Sequence, residues 1–253
     1  MIRQGSKTGN KKASEHREDA SGGISLKHVA IIMDGNRRWA DSKHVPRVWG
    51  HKEGVQSLKK LVKHAAKVGL AYMTVYAFSS ENWQRGPEEV DYLFELFGRV
   101  ITEELEELHA ANVRLRFIGK LEGMPQNLQN GFQRAMELTR ANTGLNLQVA
   151  LNYGSRLEIA EAVKEIAKKV QRGEMSADDI SPDTVSEHLY TKGIPDPDLI
   201  IRTGGEMRLS NYLLWQAAYT ELYVTNLMWP EFSEKEFDKA IEEYNNRQRR
   251  YGS

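Results

Sequence analysis

Hydrophobic positions along the chain switch repeatedly between a spacing of two and a spacing of three to four. His28 to Met33 is a nearly continuous apolar run that stops at Asp34-Gly35-Asn36, which predicts a buried strand ending in a turn. From Gly50 to Val68, Val55, Leu58, Leu61, Val62 and Ala65 fall on one face of a helix. Tyr72 to Phe78 is β-branched and aromatic, hence a strand, and Pro87 suits the first turn of a long helix running through about Ala111. Val113, Leu115 and Phe117 alternate with Arg114 and Arg116, and Leu145, Leu147 and Val149 alternate again; both segments predict half-buried strands. Pro125 to Asn142 and Leu157 to Val170 have helical character, the second with Ile159, Val163, Ile166 and Val170 as its apolar positions. Leu199 to Ile201 is a short strand before Arg202-Thr203-Gly204-Gly205, and Ser233 with Glu236 predicts a capping box for a last helix through about Arg249. Strand and helix alternate about five times, which predicts an α/β fold with a mainly parallel sheet flanked by helices. Ligands in such folds sit beyond the carboxyl ends of the strands.

Composition narrows the picture. The 253 residues suffice for one domain with its own core. The polar segment 1–23 has little to bury and reads as a tail; 24–253 reads as a single domain. Lys plus Arg (35) balances Asp plus Glu (35), so the basic excess of a nucleic-acid coat is missing. Cysteine is absent, which excludes disulfides, thiolate chemistry and Cys-ligated zinc and fits a reducing, cytoplasmic location. The cleanest apolar run, Val29 to Met33, is far short of the roughly 20 residues that cross a bilayer.

The polar residues with chemical capacity follow strands. Asp34-Gly35-Asn36-Arg37-Arg38-Trp39-Ala40 places an acid suited to a hard cation beside two arginines suited to phosphate oxygens. An ordinary strand-to-helix turn capped by Asp or Asn explains the same residues about as well. Ser79-Ser80-Glu81-Asn82-Trp83-Gln84-Arg85 crowds hydroxyls, a carboxylate, an amide and a guanidinium into one loop, which also reads as a polar helix entry packed on Trp83. Arg202 to Asn211 sets Arg202, Arg208 and Ser210 around a Gly-Gly turn, a set suited to a diphosphate. Arg47 and His51 lie near the first loop in sequence. Glu221, amid apolar and aromatic residues, needs a partner or a metal. Neither G-x-x-x-x-G-K-[ST] nor G-x-G-x-x-G occurs, nor H-E-x-x-H nor G-x-S-x-G. Asp178-Asp179 with Asp183 lacks the spacing of the aspartate-rich motif of trans-type prenyl synthases.

Taken together, HVAIIMDGNRRWA (28–40), RVWGHKEG (47–54), YAFSSENWQR (76–85), NTGLNLQVALNYGSR (142–156) and DLIIRTGGEMRLSNYLLWQAAYTELYVTNLMWPEF (198–232) resemble the cis-prenyltransferase family over about residues 27–252. The resemblance implies a six-stranded, mostly parallel sheet around a hydrophobic tunnel, usually in a homodimer. It implies Mg²⁺-dependent condensation of isopentenyl diphosphate onto an allylic diphosphate such as farnesyl diphosphate, each new double bond cis. Peripheral membrane contact for product release goes with it, and a product of undecaprenyl type serving as cell-wall lipid carrier.

By matching positions, Asp34 is the essential acid near Mg²⁺ and the leaving diphosphate. Gly35, Asn36, Arg37, Arg38, Trp39, Arg47 and His51 surround the allylic diphosphate. Ser79, Ser80, Glu81, Trp83 and Arg85 belong to the substrate loop, and Asn82 matches the residue often assigned as proton acceptor. An amide is barely basic, so Asn82 can equally position isopentenyl diphosphate while diphosphate or water takes the proton. Arg202, Arg208, Leu209 and Ser210 match the isopentenyl diphosphate site, and Glu221 a metal ligand reaching across the dimer. Ala77, Leu93, Phe97 and Leu145 match the tunnel, with Phe94 and Leu96 beside them. Arg250-Tyr251-Gly252 resembles the family terminus that approaches a neighbouring site.

Three positions depart from the common pattern: Arg37 where glycine is frequent, Met207 where some members carry a metal-binding histidine, and Ser155 where glycine is common. The rival readings are a non-catalytic family-like subunit, a short-chain cis-prenyl diphosphate synthase and a nucleotide- or RNA-binding α/β module. Retention of Asp34, Asn82, Arg202 and Arg208 argues against the first, and charge balance against the last.

Overall fold

In the computed structural model, residues 26–247 are described. The six strands β1 (His28–Ile32), β2 (Tyr72–Ser79), β3 (Arg114–Ile118), β4 (Asn146–Tyr153), β5 (Leu199–Arg202) and β6 (Glu221–Val224) form one sheet in the order β3-β4-β2-β1-β5-β6. Every strand pair is parallel, not merely most of them. The helices are α1 (Asn36–Ser42), α2 (Arg47–Lys67), α3 (Pro87–Ala110), α4 (Gln126–Leu138), α5 (Ser155–Gln171), α6 (Pro182–Ser186) and α7 (Glu234–Asn246). The patterned segments form the elements expected of them, with shifted ends. β1 stops at Ile32, α4 stops at Leu138, and Ser233 caps α7 by accepting the Glu236 N–H at 3.5 Å. The apolar pattern gave no signal for β6, whose four residues include an exposed Leu222. Segment 1–23 and the terminal Arg250-Tyr251-Gly252 lie outside the described residues.

Both sheet faces are buried, as parallel sheets require. Along β1, Val29 and Ile31 enter the larger core with α2, α3, α4 and α7, whereas Ala30 and Ile32 enter a smaller one with Tyr153, Tyr212 and Leu213. Successive strand residues face opposite ways, so one apolar run serves two layers. The central strand β1 pairs with β2 on one side and β5 on the other, and the chain order departs in both directions from there. The loops after β1, β2 and β5 therefore converge on one crevice.

Candidate active site

A polar pocket of about 590 Å³ opens at the carboxyl ends of β1, β2 and β5. Its acidic centre is Asp34, immediately after β1. The Thr203 hydroxyl donates to the Asp34 carbonyl at 2.7 Å and accepts the Asp34 N–H at 3.0 Å, while the Trp229 N–H donates to the same carbonyl at 3.0 Å. The chain then turns at Gly35 with φ 106°, where a Cβ would lie 3.0 Å from Met228 and the backbone is left-handed. Glycine is the residue that accepts both constraints. Asp34 thus sits on backbone held by three hydrogen bonds, two to Thr203 and one from Trp229.

Its carboxylate is shared by two arginines. Arg202, side chain 6% exposed, donates from Nη2 to Asp34 Oδ2 at 2.9 Å, and Arg38 lies 3.2 Å from Oδ1. Burial pushes the Asp34 carboxyl up, but the bond and charge of Arg202, then those of Arg38, outweigh it and hold the group below its usual range. The other Arg202 terminal nitrogen donates to Ser210 Oγ at 2.8 Å and to the Arg208 carbonyl, leaving a buried Nε without a partner. Ser210, Asn211 and Leu213 all take positive φ (50°, 61° and 47°), a conformation rare for serine and leucine that turns this loop back over Arg202. Gly204, at φ 82°, leaves room for Arg38 to donate to its carbonyl at 2.7 Å; a Cβ there would meet the guanidinium at 2.5 Å. Arg208 pairs with Glu206 and is largely exposed at the pocket edge.

The loop after β2 is a 3₁₀ turn, Ser80–Gln84. A capping box closes it: Asn82 Oδ1 accepts the Ser79 N–H at 3.2 Å, and the Ser79 side chain accepts in return. The amide oxygen of Asn82 is therefore engaged in holding the loop. Ser80 donates to Glu81 at 3.1 Å, and Asn211 Nδ2 donates to Glu81 at 2.8 Å, joining the second loop to the third. Burial raises Glu81, but these bonds, led by Asn211, bring its carboxyl below the usual range.

Glu89 is a further anchor that the motif reading missed. It lies 3.0 Å from Arg85, 3.3 Å from His51 and 3.9 Å from Arg37. The sequence signal was the i,i+4 spacing of Arg85 and Glu89. His51 is held below its usual pKa by burial first and then by Arg85, against the pull of Glu89, so its ring is neutral near pH 7. Asn211 and Tyr76 also line the pocket, and the motif reading gave neither a role. Tyr76 stacks on Tyr212 at 4.5 Å and donates to the Tyr153 carbonyl at 3.0 Å.

Not every residue taken from the motifs reaches the pocket. Arg47 is half-exposed and pairs with Asp41 at 3.1 Å. Gly35, Arg37, Arg38, Trp39, Ser80 and Leu209 do not line the pocket: Arg37 and Arg38 connect to it through Glu89 and Asp34, and Leu209 packs against the smaller core. Trp83 supports the loop from outside, donating to Asn152 Oδ1 at 2.8 Å and meeting Phe78 and Phe94 edge-on. Glu221 stands at the opposite end of the sheet, in register with Leu199, whereas Val224 is the β6 residue level with Arg202. It pairs with Arg247 at 2.9 Å, so within one chain it is no partner of Asp34.

Below the polar pocket lies a second cavity of about 160 Å³, between the sheet and helices α2 and α3. Met33, Asn36, His51, Ala77 and Leu93 line both spaces and form the passage between them. Leu96 and Phe97 continue its wall. Leu145 does not line it; Leu147, Val149 and Leu151 of β4 do, because Leu145 precedes the strand at its amino end. Phe94 packs instead with Phe78 and Trp83.

Among the described residues no three His, Asp or Glu side chains gather as a ready metal cage. The ionised Asp34 carboxylate, with Glu81 on the same lining and phosphate donors around it, still fits Mg²⁺, which takes one or two carboxylates plus substrate phosphates and water. Met207, 87% exposed, offers no hard ligand.

A family model described as "Putative undecaprenyl diphosphate synthase" matches residues 32–252. An isoprenyl transferase of Geobacillus kaustophilus is 47% identical over 252 residues, covering 100% of this chain and 98% of that one. A ditrans,polycis-undecaprenyl-diphosphate synthase ((2E,6E)-farnesyl-diphosphate specific) of Vibrio vulnificus is 48% identical over 226 residues, 89% of this chain and 90% of that one. The crystal structure of lavandulyl diphosphate synthase from Lavandula x intermedia, in complex with dimethylallyl diphosphate, superposes with TM-score 0.89 at 37% identity, covering 91% of this chain and 99% of that one. With a six-stranded parallel sheet of the same architecture and matches that run nearly end to end, the chain belongs to the isoprenyl transferase, or cis-prenyltransferase, family.

Proposed function

We propose that this protein transfers isopentenyl units from isopentenyl diphosphate onto an allylic diphosphate, farnesyl diphosphate being the fitting primer, and builds a cis-polyprenyl diphosphate of undecaprenyl length. The single observation that carries this reading is the junction of a guanidinium-rich pocket with an apolar cavity through five shared residues. A substrate with a diphosphate head and a hydrocarbon tail matches both halves at once.

In this reading Arg38, Arg37 and the α1 entry hold the allylic diphosphate, while Arg202, Arg208 and Ser210 hold isopentenyl diphosphate. Each charge-assisted bond contributes about 1.5–3 kcal/mol. Loss of the allylic diphosphate builds negative charge on the leaving oxygens, and fixed donors stabilise it without having to reorganise. Asp34 would hold Mg²⁺ beside that group; when bound, the metal supplies Lewis-acid stabilisation of the departing diphosphate. Arg202 and Arg38 keep Asp34 ionised for that task. Holding both substrates by their heads aligns the reacting carbons. Asn82 lines the pocket and, with its oxygen committed to the loop, has its N–H₂ left to position isopentenyl diphosphate. A diphosphate oxygen or water then takes the proton.

A homodimer that covered the β6 edge would take exposed Leu222 and the neighbouring Tyr219 out of water and carry Glu221 toward the partner's site. No helix among the described residues is long and apolar enough to cross a membrane. A product with such a tail fits a cytoplasmic enzyme that touches the bilayer peripherally to release a cell-wall lipid carrier.

The similarity to lavandulyl diphosphate synthase and the narrowness of the cavity favour a second reading, a short-chain product. One experiment separates the two. Purified protein is incubated with Mg²⁺, farnesyl diphosphate and labelled isopentenyl diphosphate, and the products are dephosphorylated and sized. Extractable long polyprenols support the proposal, single condensations support the second reading, and no incorporation overturns both.

A further inference from the structure

The apolar cavity is closed on its outer side by α2 and α3, which start together at the polar pocket and descend the same sheet face. Among the described residues, polar ties between these helices fall only at the two ends of the seam. Near the pocket, His51 meets Glu89 at 3.3 Å and the Tyr92 hydroxyl donates to the Val48 carbonyl at 3.3 Å. At the far end, Lys59 pairs with Glu104, and Lys63 with Glu107 at 2.6 Å. Between them the cavity is lined by apolar side chains of both helices, Val55 and Leu58 from α2 and Leu96 and Val100 from α3. All four charged residues of the far tie line the cavity. Lys59 and Glu104 are its inner pair, 25% and 15% exposed, while Lys63 and Glu107 are half-exposed outside it. Along α2 this tie begins about 12 Å below His51, at about 1.5 Å per residue.

The cavity of about 160 Å³ is close to the size that accepts one benzene, about 150 Å³. A tail of several isoprene units enters only if α2 and α3 spread. In the middle of the seam spreading is mild, because hydrocarbon tail replaces hydrocarbon wall. At the far end it would part Lys59 from Glu104 and leave two largely desolvated charges against an apolar chain, an unfavourable exchange.

We propose that the Lys59–Glu104 pair, extended by Lys63–Glu107, is the stop that sets product length by holding α2 and α3 together at the end of the cavity. This rests on the elongation reading above. The test compares wild type with three variants: Lys59→Met/Glu104→Met, which makes the tie apolar; Lys59→Glu/Glu104→Lys, which restores it with reversed sign; and Glu104→Gln, which removes one charge at constant shape. Product length and the rate of the first condensation are read separately, with circular dichroism to check folding. The apolar double variant should lengthen the products by about two isoprene units, the favourable burial of each added unit no longer being blocked. The reversed pair should return the wild-type distribution, and the first condensation should stay unchanged throughout. Unchanged length in the folded apolar variant overturns the stop, as does equal lengthening in the reversed pair. Should the apolar variant fail to fold, Glu104→Gln decides: products longer by about one unit support the stop, and unchanged products overturn it. A wild type that makes no polyprenyl product overturns the functional reading and this inference with it. A wild type that elongates while its folded variants match it overturns the stop alone.

Discussion

The polar pocket and the apolar cavity are built from the same strands yet obey opposite rules. In the pocket every charge has a named partner and the backbone is fixed. Asp34 is tied by Thr203 and Trp229, Arg202 by Ser210 and Asp34, and Glu81 by Asn211. In the cavity the walls meet mainly by apolar contact; among the described residues, α2 and α3 are linked by polar groups near the pocket and again at Lys59–Glu104 and Lys63–Glu107, and the Trp229 indole donates to the Gly54 carbonyl at 2.8 Å. Fixed dipoles suit a head group whose charge must be stabilised at one place. Non-directional apolar contact suits a tail whose length changes every cycle. The five shared residues mark where one kind of recognition gives way to the other.

The sharpest way to break the pocket half is Asp34→Ala. Turnover should fall by about a thousandfold or more, some 4 kcal/mol, because the carboxylate that would hold the metal beside the leaving group is gone. Arg202 would also lose its buried counter-charge, so the variant should melt earlier than Asp34→Asn. Near-wild-type turnover at saturating Mg²⁺ would remove Asp34 from the mechanism.

The two halves separate at β4. Leu145→Ala should cost about 2–5 kcal/mol of stability, the usual range for a buried leucine, without changing product length, since Leu145 lies in the core outside the cavity wall. Leu147→Ala should lengthen the product. Chemical denaturation and product sizing together check this, and the reverse assignment would return Leu145 to the tunnel.

Arg208→Ala should raise KM for isopentenyl diphosphate by about ten- to a hundredfold, 1.5–3 kcal/mol, with an unchanged melting temperature because the side chain is exposed. Arg202→Ala should show the same KM defect plus a loss of stability, since its guanidinium is buried. A rise confined to the allylic substrate's KM would exchange the two diphosphate sites.

Acid offers a control at the opposite end of the sheet. His28 is 2% exposed, bonded to the Pro195 carbonyl at 2.7 Å and to Thr74 at 2.8 Å. Burial pulls its pKa down to about 4, outweighing the Pro195 bond and the Asp198 charge. Below about pH 6.5 the unfolded chain takes up this proton first, so stability falls as pH drops from about 6.5 toward 4. By pH 5 the loss should reach about 2 kcal/mol. Denaturation of wild type and His28→Gln at pH 7 and pH 5 measures it, and an equal acid loss in the variant would place the titration elsewhere.

The smallest expected effect is Ala77→Leu, which should shorten the product while leaving the first condensation intact, because Ala77 sits in the passage shared by both spaces. A slowed first condensation would instead assign Ala77 to the pocket.

Much of this site was legible in the chain. Asp34, Asn82, Arg202, Arg208 and Ser210 stand next to strand ends, and strand ends are where parallel sheets place ligands. Arg47, Trp39 and Glu221 carry the right chemistry in the right motifs, but motif membership does not set direction: Arg47 finds Asp41, and Glu221 finds Arg247 at the far edge of the sheet. Glu89 was hidden for the converse reason. Alone it is one acid on a helix, and it becomes an anchor only when α1, α2 and the β2 loop bring Arg37, His51 and Arg85 to it.

The sequence by itself determined the alternation of strand and helix, the parallel sheet, the balance of charge, the lack of a membrane span in the apolar pattern, and the polar loops at strand ends. These follow from periodicity and residue type, which act over a few positions. Tertiary structure alone decided which guanidinium neutralises Asp34, that Asn211 ties its loop to Glu81, that Leu147 and not Leu145 lines the cavity, and that Lys59 and Glu104 meet on its wall. Each is a meeting of segments far apart in the chain, and its outcome depends on the distance and desolvation of side chains whose neighbours no local pattern specifies.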